Sequence, residues 1–250
     1  MSDVSGRAPC HDSVERHDID RGFRRCTVIK ALIFDFDGLI IDSESPEFEA
    51  WQELFAEYGR ELGPELWADL VGRPPTHFDL YGYFCKHIDP VLDVEKLRQD
   101  RRARVIALTI AQPILPGVEE YLRGATALGL KIGMASSSSR DHVRGHLERL
   151  ELLHYFQSIR CFEDTERHKP DPTPYLKVLE DLGVNADEAI ALEDSPHGIA
   201  AAKAAGIFCV AVPNPITCRL PLGHADHRLT SLAEEPLEKI ILRAAIEKRS

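Results

Sequence analysis

Apolar residues form short unbroken runs in most of the chain and fall into helical spacing in one internal block. The runs Ala31-Leu-Ile-Phe34, Leu130-Lys-Ile-Gly-Met-Ala135, Ala189-Ile-Ala-Leu192 and residues 207–212 have the length and composition of strands buried on both faces. Helical patterns alternate with them, at residues 117–128, 141–153, 174–182 and 199–205, the last closed by Gly206. A shorter strand is predicted around residues 158–162. This alternation predicts an α/β fold, a Rossmann-like parallel sheet with helices on both faces.

The block between about Ser45 and Gln112 is different. Phe48, Trp51, Leu54, Phe55 and Tyr58 recur at i, i+3, i+6, i+7 and i+10, and residues 65–70, 78–87 and 94–108 continue in the same way, interrupted at Gly72-Arg-Pro-Pro75. It contains no strand pattern and is expected to form a small α-helical cap inserted into the sheet domain. The expected organisation is a tail at 1–26, an α/β core from 27–44 and 113–250, and a helical cap at 45–112, with hinges near 43–46 and 115–117.

Chemistry-bearing residues stand where the predicted strands end. The first run ends in Asp35-Phe-Asp37-Gly38, and the fourth leads from residue 192 into Glu193-Asp194. Crowded carboxylates need a cation or a proton-transfer role, and in open parallel sheets ligands bind at the carboxyl ends of strands. The run ending at Ala135 continues into four serines, 136–139, which offer either an anion site or a helix cap. After the short strand comes Lys169-Pro-Asp-Pro172. A parallel sheet brings all four segments to one edge.

Composition narrows the function classes. With 250 residues, 44% of them apolar, the chain is long enough for a full core, and a net charge of −11 argues against a nucleic-acid or anionic-membrane surface. The six cysteines, Cys10, Cys26, Cys85, Cys161, Cys209 and Cys218, form no Cys-x-x-Cys pair, so neither zinc nor a disulfide framework is indicated. Residues 1–26 lack an apolar core of signal-peptide length, and no later run is long enough to span a bilayer, so a cytoplasmic location without membrane partners is expected.

In order and spacing, Asp35-Phe-Asp37-Gly38, Ser136, Lys169-Pro-Asp-Pro172 and Glu193-Asp194 resemble the four motifs of the haloacid dehalogenase superfamily. The extended first motif through Glu44 and the helical insertion resemble its β-phosphoglucomutase and phosphoglycolate phosphatase branch. The resemblance implies Asp35 as nucleophile forming an aspartyl-phosphate and Asp37 as general acid and base. It also implies phosphate binding by Gly38, Ser136, Ser137 and Lys169, and Mg2+ held by Asp35, Asp37 through its carbonyl, Glu193 and Asp194. Dehalogenation would leave Asp37, Glu193 and Asp194 without a task. The implied activity is a magnesium-dependent phosphatase acting on a small phosphorylated metabolite, as a monomer or small homo-oligomer. Alternatives are a sugar-phosphate mutase and a binding protein without turnover on the same fold.

Departures from the mutase pattern lie in the cap. Glu47 stands where mutases commonly carry histidine, and Arg73-Pro-Pro-Thr-His77 does not reproduce their arginine. Lys86 reads as an exposed charge rather than a Schiff-base lysine. Arg98, Arg101, Arg102 and Arg104 read as a solvated helix face, as do His142 and His146, whose i, i+4 spacing lacks a third ligand nearby. Trp51 and Trp67 are expected in the core of the cap.

Overall fold

The computed structural model describes residues 28–63, 67, 80–87 and 93–247. The expectations for the tail, for the helix at 65–70 beyond Trp67 and for the break at 72–75 lie outside the described residues, as does the first part of the helix expected at 78–87.

Six parallel strands form one sheet in the order β3-β2-β1-β4-β5-β6. They are β1 (Ala31–Phe34), β2 (Lys131–Ala135), β3 (Ser158–Arg160), β4 (Ala189–Glu193), β5 (Phe208–Ala211) and β6 (His227–Arg228). β1 is central, with Phe34 in register with Met134 on one side and Leu192 on the other. Alternation along the strands then divides the core into two layers. Leu32, Phe34, Ile132, Met134, Ile190 and Leu192 pack against α4 (Val118–Ala127), α5 (Arg140–Arg149) and α8 (Leu237–Glu247). Ala31, Ile33, Ala189 and Ala191 face α6 (Thr173–Leu182) and α7 (Pro196–Ala204), and the alanines of α7 pack in the same layer as these small residues of the sheet. Burial on both faces explains why these strands read as continuous apolar runs.

Two predicted boundaries are corrected. The helix expected to run to residue 153 ends at Arg149, because Glu151 adopts a left-handed backbone (φ 58°) and Leu153–Tyr155 forms a separate 3-10 turn. The strand expected to reach Phe162 ends at Arg160, and Phe162–Asp164 turns away as a second 3-10 segment. Helix α8 and the two-residue β6 were not anticipated.

Helices α1 (Glu44–Glu57), α2 (Leu80–His87) and α3 (Val94–Ile110) precede the second strand and have their own apolar cluster. In it Trp51, Leu54, Phe55, Leu62, Trp67, Phe84 and Leu97 are buried, so both tryptophans fill the helical block. Arg98, Arg102 and Arg104 are exposed, as expected of a solvated helix face, and Arg101 is half-buried, but three of the four are also engaged. Arg101 pairs with Glu47 and donates to the Tyr81 hydroxyl at 2.6 Å, Arg104 binds both Glu53 carboxylate oxygens at 2.7 Å, and Arg98 lies 4.2 Å over the Tyr81 ring. These contacts tie α3 to α1 and α2. The chain passes into and out of the helical block through an antiparallel bridge between Ile41 and Ile114, with the Leu115 amide donating to the Ile40 carbonyl at 2.9 Å. No helix among the described residues is long and apolar enough to cross a membrane.

Candidate active site

A cleft of about 1210 Å³ opens at the carboxyl ends of the strands, between the sheet and α3. Asp35, Asp37, Lys169 and Asp194 reach it from the core, and Glu44, Arg102, Val105, Ile106 and Ile110 line the helical side.

At its floor, carboxylate oxygens of Asp35, Glu193 and Asp194 lie within 4.8 Å of one another, all three residues buried. Parallel pairing explains how residues so distant in sequence converge: the Asp35 amide donates to the Leu192 carbonyl at 3.0 Å, so β1 and β4 deliver their acids side by side. Lys169 donates to Asp35 and Glu193, each at 2.6 Å, and its side chain is 6% exposed. The lysine motif is therefore an interior ammonium between two carboxylates rather than a surface charge. Burial lowers the Lys169 pKa, but the charges of Asp35 and Glu193 outweigh this and hold it above the ordinary value. Burial, followed by the Glu193 charge, pushes Asp35 up to about 8 despite Lys169. Burial and the charges of Asp35, Glu193 and Glu44 likewise drive Asp194 well above the carboxylate range. Three acids sharing one ammonium form a donor set of hard oxygens suited to a divalent cation.

The surrounding shell fixes these acids. Glu193 accepts from the Tyr175 hydroxyl at 2.5 Å, and Asp194 accepts from Asn214 Nδ2 at 2.8 Å. Two glycines make room for them. A Cβ on Gly38 (φ 76°) would lie 2.3 Å from Asp194 Oδ2, and one on Gly198 would lie 1.8 Å from Glu193 Oε2. Gly38, expected at the phosphate, thus also gives clearance to Asp194.

Asp37 sits beside this cluster. Its Oδ2 accepts from Ser138 Oγ at 2.5 Å, and its Oδ1 lies 3.1 Å from His142 Nε2. Burial acts to raise its pKa, but the hydrogen bonds from His142 and Ser138 outweigh this and hold it below the usual carboxylate range. His142 and His146 are thus not a solvated face: His142 borders the cleft against Asp37, and His146 is buried. Tyr175 and Asn214 were also missed; they lie 18 and 20 residues from the acids they hold, with no motif to mark them.

The serine run divides its tasks. Ser136 is buried and its Oγ accepts from the Ser138 amide at 3.0 Å, Ser137 and Ser138 line the cleft, and Ser139 caps α5 through the His142 amide. Of the two readings left open for these residues, the helix cap belongs to Ser139. Phe162 and His168 stack beside Lys169, with ring centroids 4.0 Å apart.

Residues 32–212 match the haloacid dehalogenase-like hydrolase family. The chain is 44% identical over 214 residues to the Bacillus subtilis protein named "Putative phosphatase YhcW", covering 86% of this chain and 97% of that one. It is 33% identical to hexitol phosphatase B of Escherichia coli, covering 82% and 94% of the two chains. Among solved structures it resembles CbbY from Rhodobacter sphaeroides in complex with phosphate, with a TM-score of 0.64 and 28% identity, covering 83% and 96% of the two chains. The sheet order, the acids at its carboxyl edge and these similarities together place the chain among the haloacid dehalogenase-like hydrolases.

Proposed function

We propose that the protein is a magnesium-dependent phosphatase that hydrolyses a small phosphorylated metabolite, a sugar phosphate or similar monoester, through an aspartyl-phosphate at Asp35. The observation that carries this reading is the buried cluster of Asp35, Glu193 and Asp194 around Lys169, with Asp37 alongside in the same cleft. The names of related proteins support it: two phosphatases, and a structure solved with phosphate.

Asp35, Glu193 and Asp194, with the Asp37 carbonyl, would hold the Mg2+. When bound, the ion supplies positive charge that offsets the phosphate and orients it. An oxygen of Asp35 attacks phosphorus in line while the ester oxygen leaves with a proton from Asp37. Asp37, held as the anion in the free site, takes up that proton from solvent as the substrate binds; water then attacks the aspartyl-phosphate, the phosphorus–Asp35 bond breaks, and Asp37 takes a proton from the water and releases it to solvent as phosphate departs. Lys169 offsets charge on Asp35 and the incoming phosphate. Ser136, whose hydroxyl oxygen is engaged by the Ser138 amide, keeps its own hydrogen to donate to a phosphoryl oxygen. Ser137 and the Gly38 backbone complete the phosphate cradle.

The mutase alternative lacks its expected cap residues, and Glu47, where mutases commonly carry histidine, is engaged by Arg101. Phosphate release from a panel of monoesters, with and without Mg2+, tests the proposal. Release should require the metal and fall by roughly 10³-fold or more in Asp35→Asn. No release from any ester overturns the phosphatase reading, and conversion of a sugar phosphate into its isomer without net release establishes a mutase.

A further inference from the structure

Asp37 must present a carboxyl to an oxygen that is leaving phosphorus, and this demands a fixed direction. The structure holds both of its carboxylate oxygens, one through Ser138 and one through His142. A carboxylate oxygen only accepts, so the hydrogen in the second contact sits on His142 Nε2.

The imidazole is itself confined. Phe36, between the two acids of the first motif, meets it edge-on with ring centroids 5.6 Å apart at 89°. The His146 ring lies 4.8 Å away at 63° and also contacts Phe36, at 6.0 Å. His146 is fixed in turn by Arg149, whose NH2 donates to its Nδ1 and to the Gln112 carbonyl, each at 3.2 Å. A ring packed between two aromatic side chains with its nitrogen aimed at a carboxylate is a rigid support.

We propose that His142 is a positioning residue for Asp37, holding its carboxyl in the orientation from which it protonates the leaving oxygen, with Ser138 as the second support. This rests on the phosphatase reading of Asp37. In the step concerned, the Asp35 oxygen–phosphorus bond forms, the phosphorus–ester oxygen bond breaks, and the proton passes from Asp37 to the departing oxygen. Misdirecting Asp37 therefore penalises esters whose leaving group needs that proton and spares those that leave as stable anions.

The test compares kcat/KM for alkyl phosphates, such as glycerol and hexitol phosphates, with that for p-nitrophenyl phosphate, in the wild-type protein, His142→Ala, His142→Gln and Ser138→Ala. His142→Ala should lower kcat/KM for the alkyl esters about 10–100-fold, the size of effect seen when an orienting partner is lost, while p-nitrophenyl phosphate changes less than about threefold. His142→Gln keeps an N–H near the position of Nε2 and should recover part of the loss, and Ser138→Ala should show the same leaving-group dependence. Circular dichroism establishes which variants are folded; if His142→Ala is not, the glutamine and Ser138 variants decide, each showing a loss confined to alkyl esters. Equal losses for both ester classes, or none for either, overturn the positioning role while leaving the phosphatase assignment intact. Absence of release by the wild-type protein overturns that assignment, and this inference with it.

Discussion

Glu193 has almost no freedom to move. It is fully buried, one carboxylate oxygen accepts from both Lys169 and Tyr175, and the other faces Gly198 across a gap with no room for a methyl group. Gly198→Ala therefore cannot be absorbed by rotation of a flexible end and should displace Glu193 from the cluster. The expected result is metal affinity about 10–100-fold weaker, measured by titration calorimetry with Mg2+ on metal-free protein; unchanged affinity would exclude Glu193 from the metal site. At this scale the sequence was legible where chemistry coincided with a strand end, as at Asp35, Asp37, Glu193 and Asp194. Lys169 was legible through its motif alone, since its burial depends on acids contributed by other strands. His142 was illegible because its partner lies 105 residues away, and the helical pattern describes only which residues share a face.

Strand β3 is three residues long and lies at the sheet edge, so its attachment depends on more than its ladder. Asp181, in the last turn of α6, holds it: Ser158 Oγ and Arg160 Nε donate to Oδ2 at 2.5 and 2.7 Å, and Arg160 NH2 donates to Oδ1 at 2.5 Å. Asp181→Ala is expected to cost about 1–3 kcal/mol in denaturant unfolding at neutral pH. The Arg160 hydrogen bond is the chief cause holding Asp181 below its ordinary pKa, overcoming burial and aided by Ser158. A carboxyl lowered in the folded state contributes stability that is complete above its unfolded pKa and is lost as pH falls through the folded one. The gap between wild type and variant should thus be widest at neutral pH and close in acid; a gap independent of pH would show that the ion pair is not its source. The buried strands were legible because enclosure on both faces leaves an unbroken apolar run. The end of α5 was not, because Leu150, Leu152 and Leu153 prolong the apolar pattern past the point where Glu151 turns the backbone.

Across the whole molecule, the proposed phosphate chemistry and the side of the cleft left for a leaving group fall to different parts of the chain. The acids and Lys169 come from the sheet edge, whereas Ile106 and Ile110 of α3 face the cleft with 49% and 51% of their surface exposed. Because Ile106 is half exposed, Ile106→Ser should change stability by less than about 0.5 kcal/mol. It should alter KM among metabolite esters while leaving kcat for p-nitrophenyl phosphate near the wild-type value, and a proportional change for every ester would show that α3 does not read the leaving group. The split between sheet and helical block was visible in the change of apolar period, but the arginine ties that brace α3 were not, since they join residues about 50 positions apart. The bridge between Ile41 and Ile114 carries a different consequence. The helical block departs from and returns to adjacent backbone positions, as a tolerated domain insertion does. Seventy-odd residues could therefore be exchanged as a cassette, or replaced by a tight turn, with the two severed ends already side by side, which makes this joint the natural point for grafting a new specificity onto an unchanged reaction centre.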